Sequence, residues 1–355
     1  MKKFDAMFHG GDVLTYKGLY DGEIIDFSSN INPLGPPEGL YRELMNNFST
    51  LKSYPDIKYR ELKKSIGEYL KCNSENVVLG NGAVEIINNF IQLFHRVVVF
   101  LPSFSEYEKR GNVLGKEVLK LHLNKEFRID IQALNETLKK GDILVIGNPN
   151  NPTGLRLKKE EILGIYDIVV QKKAFLLLDE AFFEFSQEDY DSIELLKSWN
   201  FKRAAIIRAA TKFFSLPGIR LGYACTSIDM SKEYKEIELP WSINSMADCA
   251  GRYIFKCRDF IEKSKVYING ERKFLLKELS KLDGIKAFYT ESNYILIKLL
   301  NWNEDFVFCY FLKKGLLIRK CSSFEGLDKT YIRVAIKDRK SNMKLVDAFK
   351  ELESV

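Results

Sequence analysis

Four short apolar runs, separated by longer amphipathic stretches, constrain the fold of this chain more than any other feature. They are residues 97–101 (VVVFL), 143–147 (ILVIG), 175–179 (FLLLD) and 204–208 (AAIIR). Each lacks the polar alternation of a half-exposed strand, which is typical of parallel strands covered on both faces. A helical pattern over residues 158–172 lies between two of the runs, as a crossover helix does. The chain is therefore predicted to be an α/β protein with a mostly parallel sheet.

The pattern of elements divides the chain into three predicted parts. Residues 1–39 are rich in Gly, Pro and Asn and are predicted to form an arm that contributes to the small domain and the substrate site. Residues 40–234 contain the apolar runs and are predicted to form the large domain. Residues 235–355 are predicted to form a smaller α+β domain. Within that domain the sequence predicts a long helical region over 246–282, strands at 294–299 and 331–336, and a helix at 305–314.

Composition excludes several classes of protein. The six cysteines form no CxxC pair and only three histidines occur, so no metal site is predicted. The net charge of +6 is spread along the 355 residues, which favours a small anionic substrate over nucleic acid. No apolar run approaches the ~20 residues of a membrane helix, and the first residues lack the apolar stretch of a signal peptide. The chain is predicted to be cytoplasmic, without membrane contact.

Chemically active side chains stand where three of the apolar runs end. Asp179 closes the third run, residues 148–154 (NPNNPTG) follow the second, and Lys212 lies four residues beyond the fourth. Residues 80–85 (GNGAVE) open a helix, whose first N–H groups and positive end suit a phosphate. Because ligands of α/β sheets bind at the carboxyl ends of the strands, these groups are expected to meet in one site.

These residue types serve one chemical scheme. A lysine amine forms an imine with an aldehyde cofactor. A carboxylate beside a pyridine nitrogen keeps the ring protonated and so makes it an electron sink. Each motif alone is more often a surface residue, a cap or a turn. Their occurrence together, in this order and at strand ends, predicts a site for pyridoxal 5'-phosphate (PLP).

The order of the motifs resembles that of the fold-type-I PLP-dependent transferases, which share the fold of aspartate aminotransferase. The motifs GNG, NNPTG, DEAF, TK and GIRLGY carry this resemblance, which points to the histidinol-phosphate aminotransferase branch. Within that branch the sequence is most similar to decarboxylases of L-threonine O-3-phosphate. The segments that indicate the decarboxylases are HGG at 9–11, DFSSNINPLGPP at 26–37, SYPDIKY at 53–59, LPWSINSMADCAG at 239–251 and LLIRKCSSFEGLDKTYIRVAI at 316–336.

The resemblance implies a set of cofactor contacts. Lys212 holds PLP, Asp179 pairs with the ring nitrogen, and Asn151 hydrogen-bonds the phenolic oxygen of the ring. The ring face is assigned to Phe104, and the PLP phosphate to Gly82, Ala83, Thr211 and Arg220. Tyr54 is implied to reach the phosphate of the partner subunit's PLP, which predicts a homodimer.

The resemblance also implies substrate contacts. Arg333 binds the substrate carboxylate, and its place in the apolar run YIRVAI supports this role, because burying a guanidinium without an anion is costly. The substrate phosphate is assigned to His9, Asn32 and Arg319.

Three positions depart from the pattern of the relatives. Ala209 stands where they usually carry Ser or Thr, so one hydroxyl contact to the PLP phosphate is missing. Ala83 replaces a polar residue, although its backbone N–H remains. Phe182 stands where the aminotransferases usually have Tyr, which slightly favours the decarboxylases.

The resemblance implies decarboxylation of L-threonine O-3-phosphate to (R)-1-amino-2-propanol phosphate, a step of cobalamin biosynthesis. An aminotransferase, most readily on histidinol phosphate, is the alternative, since it shares every PLP contact. A PLP-binding regulator is disfavoured, because the ~40 residues before the large domain leave no room for a helix-turn-helix. One methyl group changes discrimination by only ~1–3 kcal/mol, so the sequence leaves phosphothreonine and phosphoserine both open.

Overall fold

The computed structural model describes residues 9–354, so the predicted arm is described only from His9 onward. The helices are α1 Val13–Tyr16, α2 Leu40–Asn46, α3 Arg60–Leu70, α4 Ala83–Gln92, α5 Glu106–Val113, α6 Ile131–Thr137, α7 Lys159–Lys172, α8 Ser192–Lys197, α9 Ile228–Lys235, α10 Ser245–Ile254, α11 Arg258–Leu279, α12 Glu304–Leu312 and α13 Arg339–Glu353. The strands are β1 Ile25–Asp26, β2 Val77–Asn81, β3 Arg96–Leu101, β4 Glu117–His122, β5 Asp142–Gly147, β6 Phe175–Asp179, β7 Ala204–Ala209, β8 Leu221–Thr226, β9 Ile285–Ala287, β10 Tyr294–Leu299, β11 Leu316–Leu317, β12 Arg319–Lys320 and β13 Tyr331–Ala335. Short 3₁₀ turns lie at Phe48–Lys52, Ser74–Asn76 and Phe183–Phe185.

A seven-stranded sheet with the order β2-β8-β7-β6-β5-β3-β4 forms the centre of the large lobe. Strands β4, β3, β5, β6 and β7 run parallel, whereas β8 is antiparallel to both of its neighbours. The four apolar runs are β3, β5, β6 and β7. The prediction of an α/β fold with a mostly parallel sheet is confirmed.

Burial on both faces explains why these strands lack polar alternation. Side chains of a strand point alternately to opposite faces of its sheet. In β6, Leu176 and Leu178 enter one hydrophobic cluster, and Phe175 and Leu177 enter a second cluster on the other face. Every residue of β5, β6 and β7 is buried. The sequence therefore has no solvent-facing position at which a polar residue would be expected.

The small lobe is built on an antiparallel sheet with the order β12-β13-β10-β9. A two-stranded parallel pairing of β1 with β11 attaches the N-terminal arm to this lobe. The predicted strand at 294–299 is β10, and the one at 331–336 is β13, which ends one residue earlier. The predicted helical region over 246–282 is two helices, because the backbone at Cys257, with ψ 65°, leaves helical geometry before α11 begins.

Helix α10 packs against α2 and α3, which belong to the large lobe, although the predicted boundary near residue 234 assigns it to the small one. The domain limits at residues 39 and 234 stay predictions. Within the part of the chain that the structure describes, no helix combines the length and the apolar character needed to cross a membrane.

Candidate active site

A cavity of about 250 Å³ lies at the carboxyl ends of the parallel strands and is lined by residues of the arm and of both lobes. The predicted site residues that line it are His9, Ala83, Phe104, Asn151, Asp179, Thr211, Lys212, Arg220, Arg319 and Arg333. Gly82 directly precedes Ala83 as the N-cap of α4. Asn32 and Tyr54 do not line this cavity. The fold therefore brings together most of the residues that the motifs singled out, and their individual roles stay predictions.

Asp179 ends β6 with its carboxylate buried at the cavity wall. Tyr107 donates a hydrogen bond of 2.8 Å to Oδ2, and the backbone N–H of Ala181 donates to Oδ1 at 3.1 Å. Burial raises the pKa of Asp179, whereas the bonds from Tyr107 and Ala181 lower it. These two donors stabilise the carboxylate form, which is the form that can pair with a protonated ring nitrogen.

Lys212 lies three residues beyond β7, at the cavity. Desolvation lowers its pKa to about 8, and the positive charges of Arg333 and Arg220 add to that effect. An amine reacts with an aldehyde only in its neutral form, so a lowered pKa makes Lys212 a better nucleophile near neutral pH. This combination fits the predicted attachment of an aldehyde cofactor.

The start of α4 forms a cradle with very little free space around its backbone. Gly82 has φ +80°, and a Cβ there would lie 2.4 Å from Nη2 of Arg220. A Cβ on Gly222 of the neighbouring strand β8 would lie 2.6 Å from the backbone N of Ala83. The N-cap residue of this helix is Gly82, which has no side chain to cap the first turn, and this leaves the first N–H groups available to an anion. With Arg220 alongside, the cradle suits a phosphate group.

Arg333 and Asn151 are joined in the centre of the cavity. Nη1 of Arg333 donates to Oδ1 of Asn151, and Nη2 donates to the carbonyl of Ser28 at 3.0 Å. The guanidinium also lies over the ring of Tyr294, 5.0 Å from its centroid. Its Nε is buried and has no hydrogen-bond partner among the described residues. Among the described residues no carboxylate forms an ion pair with Arg333, and because a buried charge without a partner is costly, an anionic ligand in the cavity is the favourable solution.

Arg319 lies beside Arg333 because the two residues are Cα partners in the pairing of β12 with β13. Directly opposed residues of an antiparallel pair project to the same face. Burial, followed by the charge of Arg333, lowers the pKa of Arg319 to about 10. Its guanidinium donates to the carbonyl of Lys320 at 2.6 Å and to Oγ of Ser323 at 2.8 Å. Two buried guanidinium groups side by side favour a ligand with more than one negative charge.

The arm contributes His9 and Asn30 to the opposite wall. Nε2 of His9 lies 3.2 Å from Oε1 of Glu106, and its ring stands edge-on to Phe104 with centroids 6.2 Å apart. Asn30 is 2% exposed, and its Oδ1 has no hydrogen-bond partner within residues 9–354. The arm therefore brings to the cavity an imidazole and a buried amide whose oxygen is an unpaired acceptor.

The position of Asn32 corrects its predicted role. Its amide nitrogen donates to the carbonyl of Phe213 and to Oγ of Ser264, both at 2.9 Å, and its Oδ1 accepts from the N–H of Leu34. Both donor hydrogens are used inside the protein, so none is left for a substrate phosphate. Asn30, two residues earlier, lines the cavity instead, and nothing in the segment SSNINP distinguishes the two asparagines.

Sequence reasoning also missed Tyr107 and Glu106. Both belong to the segment PSFSEY, of which only Phe104 was assigned. Tyr107 follows Phe104 by three residues at the start of α5, a spacing that places two side chains on the same side of a helical turn. This periodicity is a signal from which Tyr107 could have been found. Glu106 gave no comparable signal, since its partner His9 is distant in the chain.

Tyr54 lies on the surface of the large lobe. It is 79% exposed, and its ring centroid is 4.5 Å from that of Trp241. Its predicted contact is with the cofactor of a partner subunit, which a single chain does not test.

The donor set of the cavity fits PLP. It combines a lysine of lowered pKa, a buried carboxylate at a strand end, an amide next to an arginine, and a helix start that lines the cavity together with Arg220. When bound, PLP would be held by Lys212, Asp179, Asn151 and the cradle at Ala83 and Arg220.

Comparison with known proteins defines the class of this protein. The family model for aminotransferase class I and II matches residues 22–349, so the chain belongs to that family. A provisionally named threonine-phosphate decarboxylase of Caldanaerobacter subterraneus subsp. tengcongensis is 41% identical over 99% of this chain and 95% of its own length. The adenosylcobalamin biosynthesis bifunctional protein CobDQ of Leptospira interrogans is 33% identical over 97% of this chain, which corresponds to 41% of that protein.

The fold agrees with that of solved members. The crystal structure of the histidinol-phosphate aminotransferase from Clostridium acetobutylicum matches with a TM-score of 0.87 and 37% identity, covering 92% of this chain and 98% of that one. The predicted aspartate-aminotransferase-like fold and the resemblance to threonine-phosphate decarboxylases are confirmed.

Proposed function

We propose that this chain is a PLP-dependent decarboxylase that converts L-threonine O-3-phosphate to (R)-1-amino-2-propanol phosphate and CO₂. The observation that carries the proposal is the buried pair Arg319 and Arg333 in a cavity that already has a separate phosphate cradle. Phosphothreonine has a carboxylate for one arginine and a phosphate for the other. Histidinol phosphate has no carboxylate. The relative that is 41% identical over the whole chain supports the same reaction.

Substrate binding relies on anchors at both ends of the molecule. Arg333 binds the carboxylate through its fork of N–H donors. Arg319, His9 and Asn30 hold the phosphate, with Asn30 in the role first assigned to Asn32. Two anchors on opposite sides of Cα limit rotation about its bonds, and this selects which bond stands perpendicular to the cofactor ring.

The cofactor, when bound, withdraws electrons from the bond that is broken at Cα. Asp179 holds the proton at the ring nitrogen through its ionised carboxylate. Lys212, with a pKa of about 8, carries a proton near neutral pH and can deliver it to Cα once CO₂ has left. Phe104 covers one face of the site and excludes water from it.

The decisive experiment uses phosphothreonine without any keto acid. We expect release of CO₂ and of the amine in equal amounts over many turnovers, with the cofactor remaining in its aldehyde form. Phosphoserine, assayed in parallel, shows how much the methyl group of phosphothreonine contributes to specificity. We expect kcat/KM for phosphoserine to be ~10- to 200-fold lower. Conversion of the cofactor to pyridoxamine phosphate, with turnover only after a keto acid is added, contradicts the proposal.

An aminotransferase acting on histidinol phosphate is the second candidate, and the solved aminotransferase with 37% identity favours it. It uses the same residues around the cofactor. Histidinol phosphate with 2-oxoglutarate separates the two: formation of glutamate at a rate above that of CO₂ release from phosphothreonine supports this candidate.

The proposed assembly is a homodimer. Large apolar side chains between residues 41 and 57 are about half or more exposed in the single chain, namely Tyr41, Met45, Phe48, Leu51, Tyr54 and Ile57. Several large apolar side chains exposed within one short segment exceed the scattered single ones of an ordinary surface, which supports a protein–protein interface here. In the dimer Tyr54 contacts the cofactor phosphate of the partner. Light scattering tests the assembly, and Tyr54→Phe should weaken PLP retention without dissociating the dimer.

The proposed pathway is cobalamin biosynthesis, and the name of the Leptospira relative supports it.

A further inference from the structure

We infer that Tyr107 is a positioning residue that keeps Asp179 ionised and thereby raises the proton occupancy of the cofactor ring nitrogen. The inference rests on the proposed binding of PLP and deepens the role of the same site. It concerns a residue of the cavity wall to which no cofactor or substrate contact is assigned.

The geometry of the first turn of α5 supports the inference. Tyr107 is 2% exposed, and its hydroxyl is 2.8 Å from Oδ2 of Asp179. Its ring stands perpendicular to that of Phe104, with centroids 5.6 Å apart. Gly147, the last residue of β5, leaves room for the hydroxyl, since a Cβ there would lie 3.1 Å from it. The phenol is therefore enclosed between a strand end and the aromatic ring that is predicted to cover the cofactor.

The direction of the hydrogen bond is set by protonation. Burial raises the pKa of Tyr107 well above its ordinary value, and the nearby charge of Asp179 raises it further. The hydroxyl consequently stays protonated and donates to Asp179. A donor to a carboxylate stabilises its ionised form over its neutral form.

The consequence reaches the cofactor through Asp179. In a dry site the proton shared by a carboxylate and a pyridine nitrogen can rest on either group. Desolvation raises the pKa of Asp179 and favours the neutral pair, whereas the bond from Tyr107 counters it. Removing the hydroxyl should therefore move the proton from the ring nitrogen towards Asp179 and weaken the electron sink.

The test uses the holoenzyme reconstituted with PLP labelled with ¹⁵N in the ring, whose nitrogen chemical shift reports protonation. We expect Tyr107→Phe to move this shift towards the unprotonated value. The value of kcat should fall on the order of tenfold, as expected for the loss of one hydrogen bond to a charged group. KM for phosphothreonine should change little, because no substrate contact is removed.

Tyr234→Phe is the matched control. Tyr234 belongs to the same hydrophobic cluster as Tyr107, and its hydroxyl donates to the carbonyl of Leu79 at the same distance of 2.8 Å. The Tyr234→Phe variant removes an equally buried hydroxyl that is not bonded to Asp179. Its ring-nitrogen signal should therefore match that of the wild type.

A ring-nitrogen signal that is identical in wild type and Tyr107→Phe overturns the inference. Should Tyr107→Phe fail to fold, 4-aminophenylalanine at position 107 keeps the shape with a weaker donor. It should give a smaller shift in the same direction, and an unchanged signal there also overturns the inference. Wild-type protein that binds no labelled PLP defeats the proposed function itself, which separates the two failures.

Discussion

The two halves of the cavity are assembled in different ways. The cofactor half comes from the ends of neighbouring strands in one sheet: Asp179 ends β6, and Lys212 follows β7. The substrate half joins the arm to the small lobe. The bond from Arg333 to the carbonyl of Ser28 spans 305 positions in the chain. Local motifs therefore define the cofactor half, whereas long-range pairing of β1 with β11 is needed before the substrate half exists.

The difference also appears in the electrostatics. The cofactor half combines charges of both signs, since Asp179, Lys212 and Arg220 line the same cavity. The substrate half concentrates positive charge, since Arg319 and Arg333 are both buried and are directly paired across β12 and β13. A cofactor with a phosphate and a ring nitrogen matches the first arrangement, and a substrate with two anionic groups matches the second.

Lys212→Ala should have the largest effect, because it removes the proposed covalent attachment point and the proposed proton carrier together. We expect loss of the visible absorbance band of the bound cofactor. Turnover of phosphothreonine should fall by up to ~10⁴-fold, the upper range for a positioned acid–base group. Lys202→Ala, at an exposed lysine just before β7, is the control and should retain both. A Lys212→Ala protein that keeps the band would remove this residue from its role.

Asp179→Asn should have the next largest effect. The amide cannot stabilise a positive ring nitrogen, so kcat should fall by ~10²- to 10³-fold, as for other preorganised electrostatic groups. The fold should be retained, because the amide is close to isosteric with the carboxylate and its single oxygen can still accept from one of the two donors, Tyr107 or the N–H of Ala181. Near-normal kcat with an unchanged circular dichroism spectrum would show that Asp179 is not the group that keeps the ring nitrogen protonated.

A comparison of Asn30→Ala with Asn32→Ala tests the substrate half directly. We expect Asn30→Ala to raise KM for phosphothreonine by ~10-fold, the value of one hydrogen bond to a charged group, with little change in the thermal unfolding midpoint. Asn32→Ala should leave KM nearly unchanged and lower the thermal unfolding midpoint. It breaks the buried bonds to Phe213 and Ser264, at a cost of ~1–3 kcal/mol in unfolding free energy. Equal effects of the two variants on KM would restore Asn32 as a ligand.

Ala209→Ser should have the smallest effect. Ala209 lines the cavity where relatives carry a hydroxyl, and the serine should add one hydrogen bond to the cofactor phosphate. We expect the wild type to bind PLP ~2- to 10-fold more weakly than the variant does, the range of a single net hydrogen bond. Equilibrium dialysis of PLP measures this, and tighter binding by the wild type would show that the site has no room for the hydroxyl.

Four strands of the large lobe could be predicted because strands buried on both faces consist of uninterrupted apolar residues. FLLLD predicted β6 with the bounds that the structure has, and with them the place of Asp179. The antiparallel strand β8 was not predicted, although its sequence LGYACT is buried at every position. The direction of a strand depends on the connections that precede and follow it. A five- or six-residue apolar run carries no information about those connections.

The sequence by itself determined the family and the central sheet. It also predicted which residues meet in the cofactor half of the cavity, because a strand end places the next side chain at a known edge. Tertiary structure alone decided which asparagine of the arm lines the cavity, that Tyr107 supports Asp179, and that Arg319 lies beside Arg333. These outcomes depend on the register between strands that are far apart in the chain. A shift of one residue in such a pairing turns every side chain to the other face, and no short motif specifies it.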